Sequence, residues 1–255
     1  MKKNPALIRT SVALALTALL AVTGARATDG PHPAEKRAVN LPPSAELNYS
    51  IQAKQSGLDL KGQGLVKWTH SKTAYSVTTE TRAMLLGKIL ETSSEGEIDA
   101  FGLAPGRFVE KRLRRDPSTT TFNREQNKIT FTQTAESYPL QGGEQDRTGI
   151  TWQLVAVARA NAARMTTDSE WNFFVAGPRD AEQWSFKVVG REKISTARGE
   201  TEAVHVFRAP PPDNPGQKLD IWLAPAMEWY PVKLRFTDPD GDYIEQILDS
   251  VKKTN

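Results

Sequence analysis

Alternation between apolar and polar residues dominates this chain and restricts its fold more than any other feature. Leu47, Tyr49, Ile51 and Ala53 occupy every second position, so a strand would place all four side chains on one face. Segments of similar pattern are separated by clusters of Gly, Pro, Asn and Ser, which favour turns. They lie at residues 46–53, 65–70, 75–81, 88–98, 107–113, 119–122, 128–132, 183–189, 193–197, 203–208, 219–223, 231–237 and 243–248. The chain is therefore predicted to form about a dozen short strands.

The clearest turn motif in the sequence lies between the last two of these strands. Asp238-Pro239-Asp240-Gly241 combines a proline, which presets φ, with a glycine, which accepts a positive φ. The alternating carboxylates here also resemble the start of a calcium-binding EF-hand loop, but Tyr243 and Asp249 stand where that loop needs Gly and Glu. A hairpin turn is the favoured interpretation.

One segment has helical periodicity instead. Between residues 146 and 161, Ile150, Leu154, Val157 and Ala158 fall at the spacing of one helix face. Asp146 or Thr148 is available to cap the first turn. The pattern predicts a single amphipathic helix in the middle of the chain.

The order of these elements predicts an all-β dominated fold. Strands and helices do not alternate, so a parallel sheet with crossover helices is excluded. The late strands are apolar on both faces, because Ile221 and Leu223 point away from Trp222. A single curved antiparallel sheet, a half-barrel or open barrel with one covering helix, fits this pattern, and a two-sheet sandwich is the alternative.

The first 27 residues have the pattern of an export signal. Basic residues precede an apolar run over 11–22, which ends at the small-residue site Ala25-Arg26-Ala27. The run is too short to span a bilayer. Removal of residues 1–27 takes four basic and no acidic residues and leaves 29 basic against 30 acidic. We therefore expect a periplasmic protein that does not span the membrane, and overall charge gives no support to nucleic-acid binding.

The remaining chain divides into two parts. Residues 28–44 contain four prolines and no periodicity, and a flexible lead-in is predicted there. A single antiparallel β domain is predicted for residues 45–255. The chain has no cysteine, so no disulfide can stabilise it and no thiol can carry a lipid.

Known catalytic and cofactor patterns are missing from the sequence. There is no G-x-S-x-G and no H-E-x-x-H motif. Gly62-Gln63-Gly64 lacks the third glycine of a dinucleotide site and is interpreted as small residues in a strand or bulge. His205 is interpreted as a packed strand residue rather than a metal ligand. The sequence predicts no cofactor, no metal and no enzymatic activity.

Two groups of side chains are candidates for binding. Trp152, Trp222 and Trp229 could contact an apolar ligand, although tryptophan is also ordinary core material. The densest basic cluster could contact lipid headgroups or an acidic envelope partner, or form a solvated edge strand. It consists of Arg107, Lys111, Arg112, Arg114 and Arg115.

The second half of the chain carries motifs of a known family. They include Tyr138-Pro139-Leu140, Trp152-Gln153-Leu154, Val175-Ala176-Gly177-Pro178-Arg179, Asp220-Ile221-Trp222-Leu223-Ala224-Pro225 and Trp229-Tyr230-Pro231-Val232. Over about residues 44–250 the chain resembles the proteobacterial periplasmic proteins of the domain-of-unknown-function family 3108. The resemblance implies a curved antiparallel β domain and export, and it transfers no catalytic residue.

Three functions remain open at this point. A curved sheet with abundant tryptophan favours a module that binds an apolar small molecule or lipid between the sheet and the helix. The basic segment or an exposed edge strand instead favours a protein-interaction or assembly factor of the envelope. An enzyme whose site is assembled only in space is the third hypothesis.

Overall fold

One continuous sheet organises the computed structural model, which describes residues 33–210 and 216–254. The described residues form fifteen strands. They are β1 (Ala45–Gln55), β2 (Leu58–His70), β3 (Ala74–Ala83), β4 (Gly87–Asp99), β5 (Gly102–Arg112), β6 (Ser118–Asn123), β7 (Lys128–Phe131), β8 (Ser137–Pro139), β9 (Gln145–Asp146), β10 (Glu170–Ala176), β11 (Ala181–Thr196), β12 (Gly199–Arg208), β13 (Lys218–Leu223), β14 (Pro231–Thr237) and β15 (Tyr243–Lys253). The predicted export signal lies outside the described residues.

The strands follow a meander with one long-range junction. Each strand of β1–β8 and of β10–β15 pairs antiparallel with its neighbour in sequence, and β1 also pairs with β15. The short strand β9 adds in parallel to β10. All strands thus belong to one open sheet, which confirms the predicted single antiparallel sheet and not the alternative two-sheet sandwich.

The sheet curls until its two edge regions meet through side chains. Phe108 and Ile129 from one edge region share a hydrophobic cluster with Ala176 and Ala181 from the other. The Thr120 hydroxyl also donates a hydrogen bond of 2.7 Å to the carbonyl of Gly177. Packing therefore brings the edges together without a continuous hydrogen-bonded ladder.

A helix, α1 (Gly149–Ala160), fills the interior of this curve. Its Ile150, Leu154 and Val157 pack against strands β10–β13, while Trp152 points to a second cluster. There the Trp152 ring stacks on Trp68 with centroids 4.6 Å apart and planes 5° from parallel. The predicted helix is confirmed, and it is buried on nearly its whole circumference, as expected of an internal helix.

Asp146 starts this helix from a fully buried position. One carboxylate oxygen accepts hydrogen bonds from the N–H groups of Thr148 and Gly149 at 2.8 and 2.7 Å. The other oxygen accepts the hydroxyl of Ser94, which is 2.9 Å from the Tyr75 hydroxyl. Burial raises the pKa of Asp146 to about 6, although these hydrogen bonds oppose the shift. Thr148 occupies the N-cap position, but its side chain makes no capping hydrogen bond; of the two predicted caps, Asp146 supplies the capping bonds.

The predicted flexible lead-in over 28–44 needs correction for residues 33–44, which pack on the core. The Asn40 N–H donates to the carbonyl of Ala156 in α1 at 2.9 Å. The carbonyls of Pro42 and Pro43 accept hydrogen bonds from Trp68 Nε1 and the Tyr230 hydroxyl. Side chains distant in sequence thus satisfy this extended backbone, and a periodicity search cannot detect such bonds.

Candidate functional site

Helix α1 does not cover the whole concave face of the sheet. On β1, Leu47 and Tyr49 belong to the hydrophobic cluster that contains Trp152. Farther along the same face, Ile51 and Ala53 line a groove to which no helix residue contributes. We call this part of the molecule the open end; it contains the β1–β2 and β3–β4 turns.

The groove is small and apolar. Its volume is about 60 Å³. Ala53 on β1 lies opposite Leu60 on β2 and Ile244 on β15, so three neighbouring strands supply its floor. The apolar residues that line it are Ile51, Ala53, Leu60, Ala83, Ile89 and Ile244. The groove can hold a short stretch of an apolar chain but not a bulky ligand.

Gly62, which lines the groove, lets strands β2 and β3 approach closely. A Cβ atom at this position would lie 2.3 Å from the Arg82 carbonyl oxygen, far inside contact distance. The close approach arises where the pairing of β3 with β4 shifts register between Thr81 and Arg82. The sequence-based interpretation of Gly62 as a small residue in a strand or bulge agrees with this geometry.

One buried polar atom at the groove has no protein partner. Gln55 ends β1 and is 6% exposed, yet its Nε2 finds no hydrogen-bond acceptor within the described part of the chain. A buried unpaired donor costs about 1–3 kcal/mol, so it is usually retained for a reason. A ligand with a carbonyl or carboxylate oxygen would satisfy this amide.

A larger depression, of about 210 Å³, lies on the outer face of β1–β3 and β15. Two of its charged side chains, Glu80 and Arg82, form an ion pair with each other. Its polar lining also includes Asn48, Gln63 and Asp249. These features are typical of a solvated surface, so we do not assign a site there.

A known protein family matches most of the chain. The model of a family described as a protein of unknown function, DUF3108, matches residues 48–249. The chain belongs to the DUF3108 family. None of the curated proteins compared with it matches.

One solved structure shares the fold of the DUF3108 domain. A β-barrel-like protein of unknown function DUF1849 from Brucella abortus is 14% identical, with a TM-score of 0.58 over 86% of this chain and 100% of that chain. A putative outer membrane lipoprotein-sorting protein domain from Vibrio parahaemolyticus covers 82% of this chain and 85% of its own, at 8% identity and a TM-score of 0.29. The first similarity shows the fold alone, and the second is too weak to support an argument.

The tryptophans predicted to bind a ligand lie away from the groove of the DUF3108 domain. Trp152 and Trp229 are 2% and 7% exposed and pack in hydrophobic clusters around α1. Trp222 stacks on His205 at 4.3 Å, and its Nε1 donates to Glu192. Ligand binding by these three residues stays a prediction, while their contacts are those of packed residues.

The basic segment lies near the open end of the DUF3108 domain. The backbone N–H of Leu113 donates to the carbonyl of Ile89, a groove residue, at 2.8 Å. Arg107 and Arg112 form ion pairs with Glu95 and Glu110, at 4.0 and 2.6 Å. The exposed members Lys111, Arg114 and Arg115 form no ion pair with other described residues.

His205 is held by carboxylates rather than by a metal-binding arrangement. Its Nδ1 lies 2.8 Å from Glu192 and its Nε2 lies 2.7 Å from Asp220. Burial lowers the pKa of His205, but the two carboxylates outweigh burial and raise it above its ordinary value. No three His, Asp or Glu side chains converge as metal ligands within residues 33–210 and 216–254.

No helix in these ranges is long and apolar enough to cross a membrane.

Proposed function

We propose that this DUF3108 protein is a non-catalytic binding protein of the cell envelope that holds the end of a lipid or acyl chain in the groove at the open end. One observation carries the proposal: an apolar groove that remains uncovered by the helix and contains the buried Nε2 of Gln55, which has no hydrogen-bond partner among the described residues. The apolar walls suit methylene groups, and the amide suits an oxygen acceptor.

The geometry also limits how much of a ligand can bind. Helix α1 and its clusters occupy the interior, so the whole length of an acyl chain does not fit between sheet and helix. The exposed residue Lys61 borders the groove and forms no ion pair with other described residues, so its cation favours a carboxylate or phosphate group there. The proposed ligand is therefore an amphipathic lipid with an anionic or carbonyl group near the bound segment.

The location in the envelope rests on sequence. The basic residues, apolar run and small-residue site of residues 1–27 support export to the periplasm. The absence of cysteine is compatible with a compartment in which free thiols oxidise. Protein purified from the periplasm and analysed by native mass spectrometry should carry a lipid-sized adduct, and organic extraction should identify its class.

Filling the groove should block binding. Ala53→Phe places a ring against Leu60 and Ile244, and we expect the affinity for cis-parinaric acid, a fluorescent fatty acid, to fall at least about tenfold, or about 1.4 kcal/mol. Fluorescence titration measures this. The matched control is Ala74→Phe at the exposed start of β3, outside the groove, which should bind as the wild type does. Equal binding by both variants contradicts the assignment of the groove.

Replacing Gln55 should change protein stability and ligand binding in opposite directions. Gln55→Leu is expected to stabilise the ligand-free protein by about 1–3 kcal/mol in urea unfolding, because it removes a buried unpaired donor. The same change should weaken binding of a fatty acid but not of N-phenyl-1-naphthylamine, which has no carboxylate. Gln63→Leu, at an exposed position of β2, should alter neither. A loss of stability in Gln55→Leu would show that the amide already has a partner.

A further inference from the structure

Exposed apolar side chains are concentrated at the open end. The described residues include five large apolar side chains that are strongly exposed: Leu58 at 47%, Met84 at 75%, Leu85 at 89%, Leu86 at 36% and Val189 at 45%. All but Val189 lie at the β1–β2 and β3–β4 turns. Three of them are consecutive, and we call Met84, Leu85 and Leu86 the apolar tip. Scattered surface residues need no explanation, whereas such a cluster does.

The apolar tip is a turn whose backbone is held by hydrogen bonds. The Met84 N–H donates to the carbonyl of Lys61 at 3.0 Å, and the Leu86 N–H donates to the carbonyl of Ala83 at 3.2 Å. The backbone therefore has partners within the protein while the Leu85 side chain remains almost fully exposed. Keeping the side chains in water is unfavourable, at about 25 cal/mol per Å² of apolar surface, so a partner that buries them is expected.

Unpaired cations surround this tip. On strands β2–β5 and their turns at the open end, the cations that form no ion pair with other described residues are Lys61, Lys111, Arg114 and Arg115, against the carboxylates of Asp59 and Asp116. Lys54, at the end of β1, also forms no ion pair with other described residues, and it lies opposite Tyr243 beside the β14–β15 turn. Lys88 is neutralised by Glu80 and Glu91 at 3.2 and 2.9 Å. The positive side of the open end is thus the side of strands β3–β5.

An acidic turn at the opposite corner determines which side of the open end would face a negatively charged surface. The turn between β14 and β15 contains Asp238, Asp240 and Asp242, and the Asp242 carboxylate accepts a hydrogen bond from the Ser56 N–H in the β1–β2 turn. This turn therefore lies on the far side of β1–β2 from the apolar tip. A negatively charged surface would be attracted to the β3–β5 corner and repelled from the β14–β15 corner.

We infer that the apolar tip docks this protein on the surface of a bilayer that contains anionic lipids, with the tip inserted among the acyl chains and Lys61, Lys111, Arg114 and Arg115 at the headgroups. A turn of three exposed apolar residues offers much less than the roughly 1,000 Å² that a stable protein partner needs. Insertion of apolar residues beside basic ones is instead the usual chemistry of peripheral membrane attachment.

Docking would bring the proposed groove to its source of ligand. Ala83 and Ile89, which flank the apolar tip in sequence, line the groove, so an acyl chain would have a short path between bilayer and groove. Only this delivery of ligand rests on the proposed function; docking on the bilayer does not. Ala53→Phe, which fills the groove, should still bind vesicles, so failure of ligand binding and failure of docking are separable.

Vesicle flotation tests the apolar tip. Wild-type protein should float with vesicles of equal parts phosphatidylglycerol and phosphatidylcholine, and the double variant Met84→Ser/Leu85→Ser should lose at least about tenfold in partitioning. Val189→Ser, a change of the one strongly exposed apolar residue elsewhere in the described chain, should float as the wild type does. All three sites are exposed, and near-UV circular dichroism checks that each variant is folded. Equal flotation of the tip variant and the wild type overturns the inference.

Charge reversal tests the lipid class. Arg114→Glu/Arg115→Glu should weaken binding to the anionic vesicles about tenfold, and added salt should weaken wild-type binding likewise. Lys193→Glu/Arg198→Glu changes two exposed cations, one near the end of β11 and one in the β11–β12 turn, which lies away from the open end, and it should have little effect. If wild-type protein ignores both anionic and neutral vesicles while the tip variant loses a crosslink to an envelope protein, the partner is a protein and docking on lipid is wrong.

Discussion

Replacing Trp152 with alanine should lower the free energy of unfolding by about 3–5 kcal/mol, the usual range for a buried aromatic residue. The ring is 2% exposed and stacks on Trp68 at 4.6 Å. A second ring, that of Tyr230, meets it at 6.2 Å in an edge-to-face arrangement. Truncation would leave a cavity between α1 and the sheet that these rigid rings cannot close. Urea unfolding followed by fluorescence measures the loss.

The same variant decides between two roles for this tryptophan. The sequence suggested that Trp152 contacts a ligand, whereas the structure surrounds it with core side chains. Trp152→Phe should recover part of the stability, because it restores an aromatic ring in the cavity. If Trp152→Ala unfolds at the wild-type urea concentration but no longer binds cis-parinaric acid, Trp152 is a ligand residue and the groove is not the principal site.

Asp146→Asn should change how stability depends on pH. The native pKa of Asp146 is raised from 3.8 to about 6, so the native state binds more protons than the unfolded state between about pH 4 and 6. Wild-type stability should therefore fall as pH rises through this window, by on the order of 3 kcal/mol. Asparagine keeps an oxygen for the Thr148 and Gly149 N–H groups but does not ionise, so this decrease should be absent. Urea unfolding at a series of pH values measures the difference.

Two further variants test whether ionisation of Asp146 causes this pH dependence. Asp146→Ala removes the acceptor as well as the charge and leaves N–H groups at the start of α1 unpaired, so we expect it to be destabilised by about 1–3 kcal/mol even at acidic pH. Asp59→Asn, on the exposed part of β2, should keep the wild-type pH profile. A pH profile that is identical in wild type and Asp146→Asn would show that Asp146 is not a buried titrating group.

Local patterns in the sequence predicted the elements well. The alternation at residues 46–53 corresponds to β1, the helical spacing at 146–161 contains α1, and the predicted hairpin turn joins β14 to β15. Strand β10 was missed although Trp171, Phe173 and Val175 alternate within it and are buried. Two predicted strands, at 183–189 and 193–197, are parts of the single strand β11, whose register shifts between Val188 and Gly190. A bulge glycine therefore resembled a turn.

The residues alone predicted a mainly β chain with one helix in its middle and an export-like beginning, because strand and helix periodicities are local properties of the sequence. Only the tertiary structure showed that β1 pairs with β15, nearly 200 residues away, and that the curl encloses α1. Burial of Trp152, exposure of Leu85 and the lack of a partner for Gln55 Nε2 among the described residues were likewise visible only in the tertiary structure. No periodicity encodes them, since they result from contacts between segments that are remote in the chain.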